Sequence, residues 1–271
     1  MTTSKQSSGN GGGSNFSSIF PFIAIPVCLV IGILIYNIVL GSPNNFEGGD
    51  PLTGHPHNIL GTMHKGGVIV PLLIATLLTV LVFFFERLVS MFQARGKGNI
   101  TTFVRNVRGL LNNSQVDQAL ALCDKQQGSI GNVMRAGLLK YKALSTEQHM
   151  DKDQKLDALK QEIEEATSLE LPMLSKNLVI MSTCASLGVL IGLIGTVLGM
   201  ISAFQAMSSS VPDPAQLSLG ISEALVNTFL GILASALAIM MFNFFSNRVD
   251  QLTYSIDEAG FSVAQSFAAK H

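Results

Sequence analysis

Glu223 is the residue whose type and place most call for a chemical explanation. It lies near the start of "LGISEALVNTFLGILASALAIMMFNFF" (219–245), a stretch long enough to cross a bilayer in which it is the only ionisable group. A carboxylate at the centre of a membrane helix costs about 2.5–3.5 kcal/mol on insertion scales, so such groups face a polar interior and mark ion or proton paths. The competing reading puts Glu223 at the outer interface, roughly 9 Å into the helix at 1.5 Å per residue. The apolar run from Ala224 to Phe242 would then span without it. Asn227, one turn further in on the same face, extends polarity inward and favours the first reading.

Two helix faces frame this carboxylate. In the last apolar run Glu223, Asn227, Gly231, Ala234 and Ala238 recur at helical intervals, with Thr228 at the edge of that side. In the run before it, "LVIMSTCASLGVLIGLIGTVLGMISAF" (178–204), Gly188, Gly192, Gly195 and Gly199 stack along one side, with Thr196 beside them. Small residues at these intervals let helix backbones approach closely in lipid, where packing drives association. The spacing leaves open whether the stripe packs on the neighbouring helix of the same chain or between subunits.

Composition supports a membrane setting. Only 13% of residues are charged, against about 25% in soluble domains. The charges gather between Glu86 and Lys176. A net charge of −1 without a basic stripe excludes a nucleic-acid partner. No paired carboxylates, nucleophile–base set or phosphate loop is present, so neither an enzyme nor a cofactor is expected. Cys28, Cys123 and Cys184 lack motif spacing, and His55, His57 and His64 lack acidic or cysteine partners; neither set predicts a metal site or disulfide.

The segments that must position Glu223 follow from hydropathy and charge. Residues 1–16 read as a flexible tail, 17–40 as an extra N-terminal transmembrane helix and 41–67 as a Gly/Pro/Asn-rich periplasmic loop. Residues 68–90 read as the second span, 91–177 as a helical cytoplasmic domain and 178–206 as the third span. A periplasmic loop (207–216), a fourth span (217–246) and a cytoplasmic C-terminal helix or tail (247–271) complete the chain. Segment 86–177 carries thirteen Lys and Arg residues whereas loop 41–67 carries one, which places both termini in the cytoplasm. Ser114 is expected to cap a cytoplasmic helix, and the charged helix over 151–177 to run unbroken into the third span. The fold class is therefore all-α: a polytopic membrane protein with about four transmembrane helices and long helices projecting into the cytoplasm.

Three stretches carry a family resemblance. "GLIGTVLGMISAF" (192–204), "GISEALVNTFLG" (220–231) and "ALALCDKQQGSIGNVMRAGL" (119–138) resemble the MotA/TolQ/ExbB proton channel family, on the ExbB/TolQ side of it. The resemblance covers roughly residues 65–250. It departs from the ExbB/TolQ pattern in the apparent extra span and in Leu237, where relatives often carry proline. The resemblance implies that Thr196, Glu223 and Thr228 line a pore or face a partner, with Asn227 beside them. It implies a homo-oligomeric ring, a pentamer, around single-span helices of an ExbD-like or TolR-like protein that carries the titrating aspartate. The expected function is the pore-forming stator subunit of an inner-membrane motor driven by the proton motive force, working through a TonB-like periplasmic protein on outer-membrane transport. The alternatives are a TolQ-like subunit for envelope maintenance, a secondary transporter or a membrane scaffold.

Overall fold

The computed structural model describes residues 12–51, 54–147, 149–208 and 213–270. Most of the expected N-terminal tail and part of the loop expected over 207–216 lie outside them. Within them there is no strand, only one isolated bridge between Phe46 and Pro56. The helices are α1 (Gly12–Leu34), α2 (Ile59–His64), α3 (Val70–Arg95), α4 (Ile100–Asn112), α5 (Val116–Gln126), α6 (Gly128–Thr146), α7 (Lys152–Ser175), α8 (Leu178–Ser208) and α9 (Pro214–Ala268). Among the described residues four stretches of helix are long and apolar enough to cross a membrane. The chain is an all-α protein with membrane-type helices.

The chain divides into two compact units. The first, Met1–Phe84 with Ile180–Met241, holds the apolar spans. In it α1 continues through a π-helical turn over Ile35–Leu40 and packs antiparallel on α3. Phe20 meets Phe83 edge-on at 5.7 Å. Gly32 lies so close to α3 that an added Cβ would be 2.8 Å from the Pro71 carbonyl oxygen. Leu40, Ile69, Val70, Leu73 and Leu230 form one buried cluster, so the first span contributes to the core around α9. Val80, Cys184, Ala185 and Ala238 form a second. Small side chains dominate the α8–α9 joint because contact area between backbones, not expulsion of water, holds helices together in lipid.

The second unit, Phe85–Val179 with Phe242–His271, packs by ordinary hydrophobic burial. Phe103, Val107 and Leu111 of α4, Ile130, Val133, Leu138 and Tyr141 of α6 and Leu159 of α7 are buried with Ile256 and Phe267 of α9. Each fully buried aliphatic or aromatic side chain of this size contributes roughly 1.5–3 kcal/mol. Tyr141 and Phe267 stack edge-on at 4.9 Å. Burial, aided by the neighbouring Asp124, pushes the Cys123 thiol up to about 12, so it stays protonated and inert.

Two local expectations are corrected here. Ser114 is not a helix cap: its backbone is left-handed (φ 58°) and its hydroxyl accepts from Lys270 Nζ at 2.6 Å. The helix that follows it, α5, has no side-chain cap, whereas at the start of α4 Asn99 Oδ1 accepts from the Thr101 amide at 2.9 Å and Asp151 caps α7. The helix over 151–177 also does not run unbroken into the third span. It ends at Ser175; Lys176 is extended and Asn177 adopts a left-handed φ of 63° before α8 begins. Helix ends leave carbonyls without intrahelical donors, and Arg87 meets one of them. Its guanidinium, 1% exposed, donates to the Leu174 carbonyl at 3.1 Å and pairs with Glu86 at 3.1 Å.

Candidate functional site

Helices α8 and α9 build the site between them. Gly188, Gly192, Gly195 and Gly199 all face α9 of the same chain. An added Cβ at Gly188 would lie 3.0 Å from the Gly231 carbonyl oxygen, and one at Gly192 3.2 Å from the Gly231 Cα. At Gly199 it would meet the Ala224 amide nitrogen at 2.6 Å. Of the two partners the spacing left open, the structure selects the neighbouring helix of the same protomer. Ser235 secures the same joint, donating its hydroxyl proton to the Ala185 carbonyl at 2.6 Å.

This approach brings Thr196 and Thr228 together, with their hydroxyl oxygens in direct contact. Each hydroxyl also lies 3.1 Å from the carbonyl one turn before it, Gly192 for Thr196 and Ala224 for Thr228. Two hydroxyl protons cannot serve three such contacts, because each hydroxyl donates once. One threonine therefore donates to the other while its partner donates to its own helix, and two opposite arrangements satisfy the pair equally. The pair can therefore reverse its donor direction without moving either helix. Both side chains keep part of their surface open.

Glu223 sits in the third turn of α9, half-buried, with its carboxylate against the Gly67 backbone. Tyr36 at the end of the first span reaches the same region, its hydroxyl donating to the His64 carbonyl at 3.0 Å. Asn227 behaves differently from its place on the polar face. It is fully buried, fills the space opposite Gly195, and donates from Nδ2 to the Gly66 carbonyl at 2.9 Å. It joins α9 to the turn before α3 instead of facing outward with Glu223. Gly66 and Gly67 themselves were not singled out by sequence reasoning; the consecutive glycines before an apolar run were the available signal.

Of the three loop histidines, His64 is tightly held. Its ring stacks on Tyr36 at 4.5 Å and meets Phe46 edge-on at 5.5 Å. Its Nδ1 is buried without a partner. Burial first, and the Lys65 charge second, hold its pKa below the ordinary 6.5. The folded state thus binds fewer protons here than the unfolded chain, so stability is complete above about pH 6.5 and falls as the pH drops through the folded value. The melting temperature of the detergent-solubilised protein should therefore decrease between about pH 7 and about pH 5. His64→Phe, which keeps the ring contacts, should flatten that decrease; an identical slope in the variant would remove His64 as its origin.

Residues 126–258 match the MotA/TolQ/ExbB proton channel family. These residues belong to that family. The matched segment runs from the end of α5 into α9 and so contains the glycine stripe, Thr196, Glu223 and Thr228. The chain is also 34% identical over 86 residues to a Synechocystis protein named ExbB-like 3, covering 31% of this chain and 41% of that one. It is 28% identical over 124 residues to the Tol-Pal system protein TolQ of Pseudomonas aeruginosa, covering 45% of this chain and 54% of that protein. The Haemophilus influenzae TolQ is 36% identical over 88 residues, covering 32% and 39%. The chain thus spans about half or less of the length of these relatives. The family segment leaves out α1 and the turn at Gly66–Gly67.

Proposed function

We propose that the protein is the pore-forming stator subunit of a proton-driven motor in a bacterial inner membrane. Protons would pass along the faces of α8 and α9, and the work would be delivered to single-span ExbD-like or TolR-like helices enclosed by a homo-pentameric ring. The observation that carries this reading is the Thr196–Thr228 hydroxyl contact between α8 and α9, the helix that bears the half-buried Glu223. Both termini and the second unit lie in the cytoplasm in this arrangement, in keeping with the positive charge of segment 86–177. An ExbB-like load, outer-membrane transport through a TonB-like protein, is the leading form. A Tol-like load is the second, favoured by the two relatives named TolQ.

Native mass spectrometry of the detergent-purified assembly, with and without a co-expressed ExbD-like partner, tests this. Five copies of the 28.9 kDa chain give about 145 kDa, and the partner should add mass. A monomer or dimer indifferent to the partner would replace the stator reading with a transporter or scaffold.

A further inference from the structure

The turn that faces Glu223 is built from two glycines, and neither tolerates a side chain. Gly67 has a φ of +75°, a region L side chains rarely adopt, and an added Cβ would collide with Glu223 Oε1. A Cβ at Gly66 would lie 2.5 Å from Val70 Cγ2 and 2.8 Å from Val226 Cγ1. The Gly66 carbonyl accepts from Asn227. Glu223, Val226 and Asn227 are spaced three and four apart, so one face of α9 meets this turn along a full helical turn.

The turn is in turn held from the first span. The Tyr36 hydroxyl donates to the His64 carbonyl at 3.0 Å, two residues before Gly66. Asn45 is buried and donates to the Val39 and Leu40 carbonyls at 2.8 and 2.9 Å. Asn45 Oδ1 accepts from Asn58 Nδ2 at 2.8 Å, and Asn58 Oδ1 caps α2 through the Gly61 amide at 2.8 Å. Side-chain bonds therefore tie the π-helical end of the first span to the start of α2 through Asn45 and Asn58, and to the end of α2 through Tyr36, just before the turn. All of it lies outside the family-matched residues.

We propose that residues 36–45 and 58–67 form a clasp whose Gly66–Gly67 turn positions the Glu223 carboxylate, and that the extra N-terminal helix serves to hold that turn in place. Gly67 sets where the carboxylate can lie, Asn227 fixes the turn to α9, and Tyr36 fixes it to the first span. This rests on Glu223 being the working carboxylate of the proposed stator. The ionisable groups around this corner are Tyr36 from the first span and His64 and Lys65 from the clasp; α8 contains no Asp, Glu, Lys, Arg, His or Tyr.

The test is carbodiimide labelling of the full-length protein in its own membrane, read by intact mass as a function of pH. Dicyclohexylcarbodiimide reacts with protonated carboxyls in apolar surroundings, and Glu223→Gln identifies the adduct that belongs to Glu223. Gly67→Ala should move the midpoint of that labelling by about one pH unit, roughly tenfold in rate at fixed pH. Gly109→Ala, where nothing lies within 4 Å of the added methyl, should leave it unchanged. If Gly67→Ala does not fold, Tyr36→Phe removes only the hydroxyl that holds the turn and should change the rate about threefold. Unaltered Glu223 labelling in whichever of these variants is folded overturns the clasp. The proton-driven activity of Glu223→Gln is a separate readout: its loss alongside unaltered labelling would reject the clasp and keep the stator. Full activity alongside altered labelling would do the reverse.

Discussion

Glu223→Gln should leave the assembly intact and reduce proton-driven work at least about tenfold. Glutamine keeps the length, the planar end group and the hydrogen-bonding capacity of glutamate but cannot exchange a proton. The surroundings give it no reason to unfold: Glu223 is half-buried, and no ion pair to it exists among the described residues. Removing the negative charge also removes a desolvation cost that a membrane helix otherwise bears, so folding should be as good or better. Activity is then lost for a chemical reason alone. The measurement is energised uptake in cells, or proton entry into vesicles carrying the protein and its partner, set beside the native mass of the purified variant. Full activity in a correctly assembled Glu223→Gln protein would leave Glu223 as a helix-end carboxylate and remove it from any proton path.

What could be read from the sequence, and what could not, divides by whether the relevant contacts are local. The spans and the charged helical segment were legible because hydropathy and charge act residue by residue along the chain. The glycine spacing in α8 announced close helix approach but not the partner, since Gly188 to Gly199 would look the same packed on α9 or on another subunit. Asn227 was placed on the face of Glu223 by periodicity, correctly as to angle. Its burial depends on the Gly66 carbonyl, 161 positions away, which no periodicity reveals. The break at Lys176–Asn177 was missed because no glycine or proline stands there; asparagine, which tolerates the left-handed conformation, was the one available sign. Residues 41–67 read as a loop from their Gly, Pro and Asn content, and periodicity gave no sign that two of those asparagines hydrogen-bond to each other and to the end of the first span. The family resemblance added Thr196 and Thr228, whose contact across two helices depends on the glycine stripe that lets the backbones close.

That dependence makes the second large effect calculable in sign. Gly199→Ala and Gly109→Ala are the same chemical change on two helices, and they should act in opposite directions. At Gly109 nothing lies within 4 Å of the new methyl, so the helix gains up to about 1 kcal/mol from the better propensity of alanine. At Gly199 the methyl would lie 2.6 Å from the Ala224 nitrogen, 2.7 Å from the Gly220 oxygen and 3.0 Å from the Ala224 Cα. All three are backbone atoms, so no rotamer change relieves the clash and the helices themselves must move apart. Overpacking of this kind costs about 1–3 kcal/mol, and the rigidity of the neighbours puts Gly199 at the upper end. Separation would also open the reciprocal approach of Gly220 to the Ala203 nitrogen, now close enough that a Cβ would lie at 2.7 Å. The Thr196–Thr228 contact, one turn further along the same joint, would be lost with it. Thermal melting in detergent should therefore fall by several degrees in Gly199→Ala and hold or rise in Gly109→Ala, with proton-driven work lost only in the former. Equal melting of the two variants would mean that α8 does not approach α9 through its glycines, and the hydroxyl pair would lose the geometry on which the proposed proton path depends.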